Sequence, residues 1–128
     1  MVVNRTSLSA GEIIHSILSE DADVTSITKK IFPVVIDSAT LPYILYRRTS
    51  MQNLTMKGAT ADSLDIEILC FADSYGKSIE LAESVRHSLD HQQAESDGLV
   101  MRSCDLTDAE ESWQDDAYVQ KLIFTIKI

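Results

Sequence analysis

Glycine and proline are scarce in this 128-residue chain, with four and two copies, and there are two cysteines, three histidines and one tryptophan. The shortage of glycine leaves no Gly-rich loop to cradle a phosphate, and no nucleophile-elbow pattern occurs. No apolar run approaches the roughly 20 residues that a bilayer-spanning helix needs. The opening Met1-Val2-Val3-Asn4-Arg5-Thr6-Ser7 lacks the charged and apolar regions of a secretory signal, so a cytoplasmic protein without a membrane role is expected. Basic residues are also short: 11 Lys/Arg face 20 Asp/Glu, and the net charge of −9 argues against specific nucleic-acid binding.

What is present is the composition of a folded protein. Apolar residues at 45% and charged residues at 24% exclude a disordered or low-complexity chain. At this length, folding buries roughly two-thirds of the unfolded surface, enough for a core without staples, and one domain spanning 1–128 is expected. The acidity is uneven. Residues 1–60 carry six Lys/Arg against five Asp/Glu, whereas residues 61–128 carry five against fifteen, so one face or end should be strongly negative.

Along the chain, Ser9-Ala10-Gly11-Glu12 reads as a capping box, followed by Ile13, Ile14, Ile17 and Leu18 at helical spacing, which predicts a helix over about 10–19. Asp21-Ala22-Asp23 supplies cap chemistry for a short helical turn carrying Val24 and Ile27. Pro33 stops helix and predicts an extended segment through Ile36. After Pro42, alternation predicts a strand from Tyr43 that can run on towards Leu54 and Thr55, then a polar loop over 57–62. From Ser63 to Ala72, Leu64, Ile66, Ile68, Cys70 and Ala72 share one face opposite Asp65 and Glu67, with Leu69 and Phe71 covering the far end of the second face. Cys70 therefore reads as a small buried thiol, and no disulfide to Cys104 is expected.

Asp73 or Ser74 can cap the next helix, in which Tyr75, Ile79, Ala82, Val85 and Leu89 form an apolar stripe. Residues 91–98 read as a polar connection. Residues 99–106 and 118–128 read as a final pair of strands, the last with Tyr118, Gln120, Leu122, Phe124, Ile126 and Ile128 on one face. The fold class expected is α+β: a mostly antiparallel sheet, an N-terminal helix, and a second amphipathic helix packed on the sheet.

Candidate chemistry is sparse. Asp105, Asp108, Glu110, Glu111, Asp115 and Asp116 form an acidic stretch with no Lys or Arg inside it, read as a solvated hairpin connection, an acidic contact surface or a cation site. The calcium-loop pattern fails, because Glu110 stands where that loop needs glycine. Trp113 either covers a core edge or anchors an interface. Glu83, His87 and His91 follow a helical stripe suited to zinc, but the run crosses the expected helix end and lacks a fourth ligand. Cys70 and Cys104 have acidic neighbours that oppose a reactive thiolate. Arg47 and Arg48 are either solvated and internally paired, or they meet a carboxylate surface on an identical subunit. No catalytic, cofactor-binding or metal-binding residue is assigned and no enzyme is expected. The candidate subunit or partner interface is Arg47, Arg48, Trp113, Asp115 and Asp116.

The order of several short motifs is more specific than any of them alone. Ile31-Phe32-Pro33, Leu41-Pro42-Tyr43 with Tyr46, Lys57-Gly58, Cys70-Phe71-Ala72, the helix segment Leu81-Ala82-Glu83-Ser84-Val85-Arg86 and the closing Leu122-Ile123-Phe124-Thr125-Ile126 resemble the tail-completion proteins of long-tailed phages and prophages. The resemblance implies a structural α+β subunit similar to tail terminators. Such a subunit would complete the tail tube and form the head–tail junction as a ring, for which a hexamer is one candidate size. It also implies a tail-tube protein and a head-completion or connector protein as partners, and assembly in the host cytoplasm before residence in the virion. Residues 51–62 and 105–117, read as long loops, would then order on assembly. The alternative is a regulatory or small-ligand-binding α+β domain with no virion role.

Overall fold

The structure is a computed structural model that describes residues 6–34, 38–56, 59–96 and 98–128. A 3-10 turn, Ser7–Ser9, leads into α1 (Ala10–Glu20) and α2 (Ala22–Ile27). There follow β1 (Ile31–Pro33), β2 (Tyr43–Met56), β3 (Ala59–Ala72) and α3 (Tyr75–Leu89). The chain then forms a small ribbon of β4 (Ala94–Ser96) and β5 (Leu99–Met101), and closes with β6 (Ser103–Gln114) and β7 (Ala117–Lys127). The main sheet has five strands in the order β1-β2-β3-β7-β6, antiparallel except where β1 runs parallel to β2. The expected α+β class and largely antiparallel sheet are what is found.

The sheet's two faces differ because strand side chains alternate. One face carries Ile44, Ile66, Ile68, Cys70, Leu122, Phe124 and Ile126, and packs in one core cluster with Ile13, Ile14 and Leu18 of α1, Val24 of α2, and Leu81, Val85 and Leu89 of α3. The other face carries a smaller cluster, Phe71, Ala117 and Val119, with Leu41, Tyr43, Leu45 and Leu69 packed against it. No helical residue joins that second cluster among the described residues. Tyr43 stacks on Phe71 there at a centroid distance of 4.6 Å.

Several local expectations change. Ser9 makes no side-chain capping bond, because the 3-10 turn ahead of it holds its backbone out of the extended cap conformation; Thr6 caps that turn by accepting from the Leu8 amide. Asp21 does cap α2, accepting from the amides of Asp23 and Val24. On α3, Ser74 accepts from the Lys77 amide, but the buried stripe is Ser78, Leu81, Ala82, Val85, Ser88 and Leu89. Tyr75 is 49% exposed instead of buried. The serines tolerate burial because their hydroxyls donate to carbonyls within the helix, Ser78 to Tyr75 at 2.7 Å and Ser88 to Val85 at 2.8 Å.

Both stretches expected to be long loops are strands. Gln52 to Met56 pair with Ser63 to Ala59, extending the β2–β3 hairpin; Lys57 and Gly58 lie outside the described residues, as does the 35–37 part of the extended segment after β1. The acidic stretch forms β6, paired along β7 with one bulge between Leu106 and Asp108. Its connection to β7 is only Asp115-Asp116, both at positive φ (51° and 61°), as a two-residue hairpin turn requires and as Asp tolerates better than most residues. The polar connection 91–98 also contains the strand β4.

Cys70 and Cys104 are both free and buried, and burial pushes their thiols up to about 12; at Cys104 the nearby Asp105 and Asp90 charges add to the rise. Phe124 is the largest of the fully buried side chains and lies on the strand between β3 and β6. Phe124→Ala should destabilise the protein by about 3–5 kcal/mol through lost burial plus the cavity left behind. Urea unfolding read by circular dichroism checks it.

Candidate functional site

The outer face of the sheet is ordered by charge. Arg47 on β2 stands opposite Glu67 on β3, and its Nε donates to Glu67 Oε2 at 2.5 Å. The arginine side chain remains 53% exposed while the Glu67 side chain is 7% exposed, so the guanidinium is what makes a buried carboxylate tolerable. Lys121 on β7 assists at 3.9 Å from Glu67 and pairs with Glu110 on β6 at 3.0 Å. Sequence pattern alone places Glu67 on a wet face; its burial follows from Arg47 closing over it. Arg48, on the opposite face of the same strand, donates to the Leu8 carbonyl at 3.3 Å and is exposed.

At the far end of the sheet, the acidic hairpin and the start of α3 converge. Trp113 is 58% exposed and meets Tyr118 edge-to-face at 4.8 Å, while Tyr75 meets the same Tyr118 edge-to-face at 5.9 Å. Glu111 lies between the elements: its Oε2 accepts from the Tyr75 hydroxyl at 2.9 Å and from Gln120 Nε2 at 3.1 Å. Gln120 is itself buried and reaches the Ser78 hydroxyl at 3.3 Å. The Glu111 carboxylate, accepting that bond and adding its charge, pushes the Tyr75 hydroxyl above the ordinary phenol value. Tyr75, Glu111, Ser112, Trp113, Tyr118 and Gln120 line a cavity of about 260 Å³. Asp115, in the turn beyond Trp113, is close enough to Tyr43 for its charge to add to the burial that raises that phenol.

The predicted interface residues are therefore split. Trp113, Asp115 and Asp116 occupy one end of the β6–β7 hairpin, whereas Arg47 and Arg48 sit on β2, two strands away across β3 and β7. Sequence reasoning misses Tyr75, Glu111 and Gln120 as companions of Trp113. A tyrosine at the first position of a helix, with Ile79 after it, reads as part of an apolar stripe.

The histidine stripe also resolves differently. His91 lies past the end of α3 at a positive φ of 63°, so it does not continue the Glu83–His87 face. Its Nδ1 is 3.0 Å from Asp105 and its Nε2 is 3.7 Å from Asp90. These three residues have ligand atoms close enough to share an ion, but two of the three are exposed. Asp90 already works structurally. Its Oδ1 accepts from the Leu106 amide, which holds its carboxyl below the ordinary range; partial burial opposes this, and Arg86 and His91 reinforce it.

A search of curated proteins by sequence finds no match. Residues 12–128 match the family described as tail completion protein gp17. The chain belongs to this family. Among solved structures, a chain of the "Virion of native gene transfer agent (GTA) particle" aligns with a TM-score of 0.74 at 14% identity, covering 89% of this chain and 90% of that one, and so shares its fold. As a tail-completion protein, the chain is a structural component of phage virion assembly, and the family resemblance seen in the sequence is borne out over residues 12–128.

Two outcomes follow from the tail-completion protein's electrostatics. Arg47→Ala should cost about 1–3 kcal/mol in urea unfolding, because Glu67 stays buried with its best donor gone. Asp90, whose folded pKa is lowered, contributes stability that is complete above the ordinary carboxylate value of about 4 and lost as pH falls through the lower folded value. Asp90→Asn should therefore be less stable at neutral pH and lose less stability on acidification, read from urea midpoints across pH 7 to 3.

Proposed function

We propose that this chain is a ring-forming subunit that completes the tail tube and forms the head–tail junction. The observation that carries the reading is the family match over residues 12–128. Likeness to a chain described from a gene transfer agent virion supports it.

The fold offers the surfaces such a ring needs. A ring requires a head-to-tail contact in which one patch of each copy meets a different patch of the next. The sheet ends in β6 on one side; on the other, β1 covers β2 only from Ile44 to Tyr46, which leaves the rest of β2 without a second strand partner among the described residues. The acidic turn Asp115-Asp116 and Trp113 belong to the first side, and the exposed Arg48, beside Arg47, to the second. Opposite charges on the two sides join copies head to tail and disfavour like-to-like pairing.

The outer part of the β2–β3 hairpin is a second contact element. β7 pairs with β3 from Ser63 onward, with Ile128 bonded to Asp62 just before it, so the outer part of the hairpin is a two-stranded ribbon with Leu54 exposed. Such ribbons are marginal alone and gain from cover by another chain. The tail-tube protein and the head-completion or connector protein are the partners proposed for surfaces left free by the ring. No catalytic step is part of this role. The alternative, a regulatory or small-ligand-binding domain, has no comparable match behind it.

Native mass spectrometry over a concentration series, with and without isolated tail tubes, tests the ring. A closed cyclic oligomer is expected, a hexamer foremost, and a strict monomer under both conditions would overturn the reading. Arg48→Glu should raise the concentration for half-assembly about tenfold, equivalent to roughly 1.4 kcal/mol.

A further inference from the structure

We propose that the cavity formed by Tyr75, Glu111, Trp113 and Tyr118 is a receptor for an arginine side chain presented by a neighbouring protein chain. The ring faces and the carboxylate supply what a guanidinium recognises. Trp113 and Tyr75 both meet Tyr118 edge-to-face, and the three aromatic rings border one cavity. Aromatic faces attract cations, tryptophan most strongly, and a planar guanidinium also stacks on them.

Glu111 is already aimed. Its Oε2 is held by the Tyr75 hydroxyl and by Gln120, while its Oε1 carries no bond among the described residues. Holding one oxygen fixes the carboxylate plane and leaves the other for an incoming donor. Gln120 in turn is buried and tied to Ser78 on α3, so the carboxylate is braced by both the sheet and the helix.

Size and exposure fit a side chain better than a metabolite. The cavity's 260 Å³ falls below the roughly 300–1,000 Å³ of small-molecule sites, and Trp113 and Tyr75 remain about half exposed. Exposed tryptophan and tyrosine around a pocket are the residues that dominate protein–protein contacts. Charge selects the sign of the visitor. Asp115 and Asp116 form the turn of the same hairpin, and the second half of the chain carries fifteen acidic residues against five basic. That the arginine belongs to a virion neighbour rests on the assembly reading; the pocket's preference for a guanidinium does not.

Trp113 is the chain's sole tryptophan, so its emission reports on this pocket alone. The purified protein is titrated with N-acetylarginine methylamide and, in parallel, with the uncharged N-acetylcitrulline methylamide at matched ionic strength. A saturable change with arginine, a several-fold weaker response to citrulline, and a several-fold loss of affinity in Glu111→Gln are expected. Tyr75→Phe, which keeps the ring, should retain most of the response. Equal responses to the two ligands, no saturable response to either, or binding unchanged in a folded Glu111→Gln protein would overturn the proposal. Arginine binding by a protein that stays monomeric would remove the ring and leave the pocket, and a ring that ignores arginine would do the reverse.

Discussion

The pairing of β3 with β7 is the constraint on which the rest depends. Its register runs without a break from Ser63 opposite Lys127 to Ala72 opposite Tyr118. Strand side chains alternate, so this register places Leu64, Ile66, Ile68, Phe124 and Ile126 on the helical side in one stroke and puts Glu67, Lys121 and Thr125 on the other. A slip of one residue would reverse every one of these assignments, carrying charges into the core. The flanking strands inherit the choice: β2 brings Arg47 over Glu67 only because it pairs with β3, and β6 brings Glu110 to Lys121 only because it pairs with β7.

That dependence explains which parts of the fold are legible in the sequence. β3 and β7 carry their own apolar alternation, and α1 carries its own 3.6-residue stripe, so local pattern suffices for each. β6 does not. Residues 108–114 are all exposed, and their acidic composition says nothing of a strand; they become one by lying along β7, whose ladder groups they satisfy. Helix α3 is legible as a helix, yet its buried face is turned from the expected one, because Ser78 and Ser88 hide their hydroxyls in backbone bonds that no hydropathy pattern registers.

The same reasoning separates what can be read of the interaction site. Trp113 stands out as a lone aromatic in an acidic run, and Asp115-Asp116 as a concentration of charge. Their companions are fixed by topology. Tyr75 reaches Trp113 through Tyr118, and Glu111 reaches Tyr75 across 36 positions of chain, a distance no spacing rule spans. The motif order that identifies the family consists mostly of core and turn residues, which is why it speaks for the fold and the class of function while staying silent on contacts.

Acidity on β6 serves two physical ends that pull in different directions. An edge strand with unpaired ladder groups invites uncontrolled pairing with other chains, and charged side chains along it discourage that. A subunit built for assembly must nevertheless accept one neighbour. Spreading carboxylates along β6 raises the cost of every approach that brings no positive charge, while the three rings and the braced Glu111 reward the one that does. Repulsion along the edge and attraction at its end together make a selective contact from a strand that would otherwise be a liability.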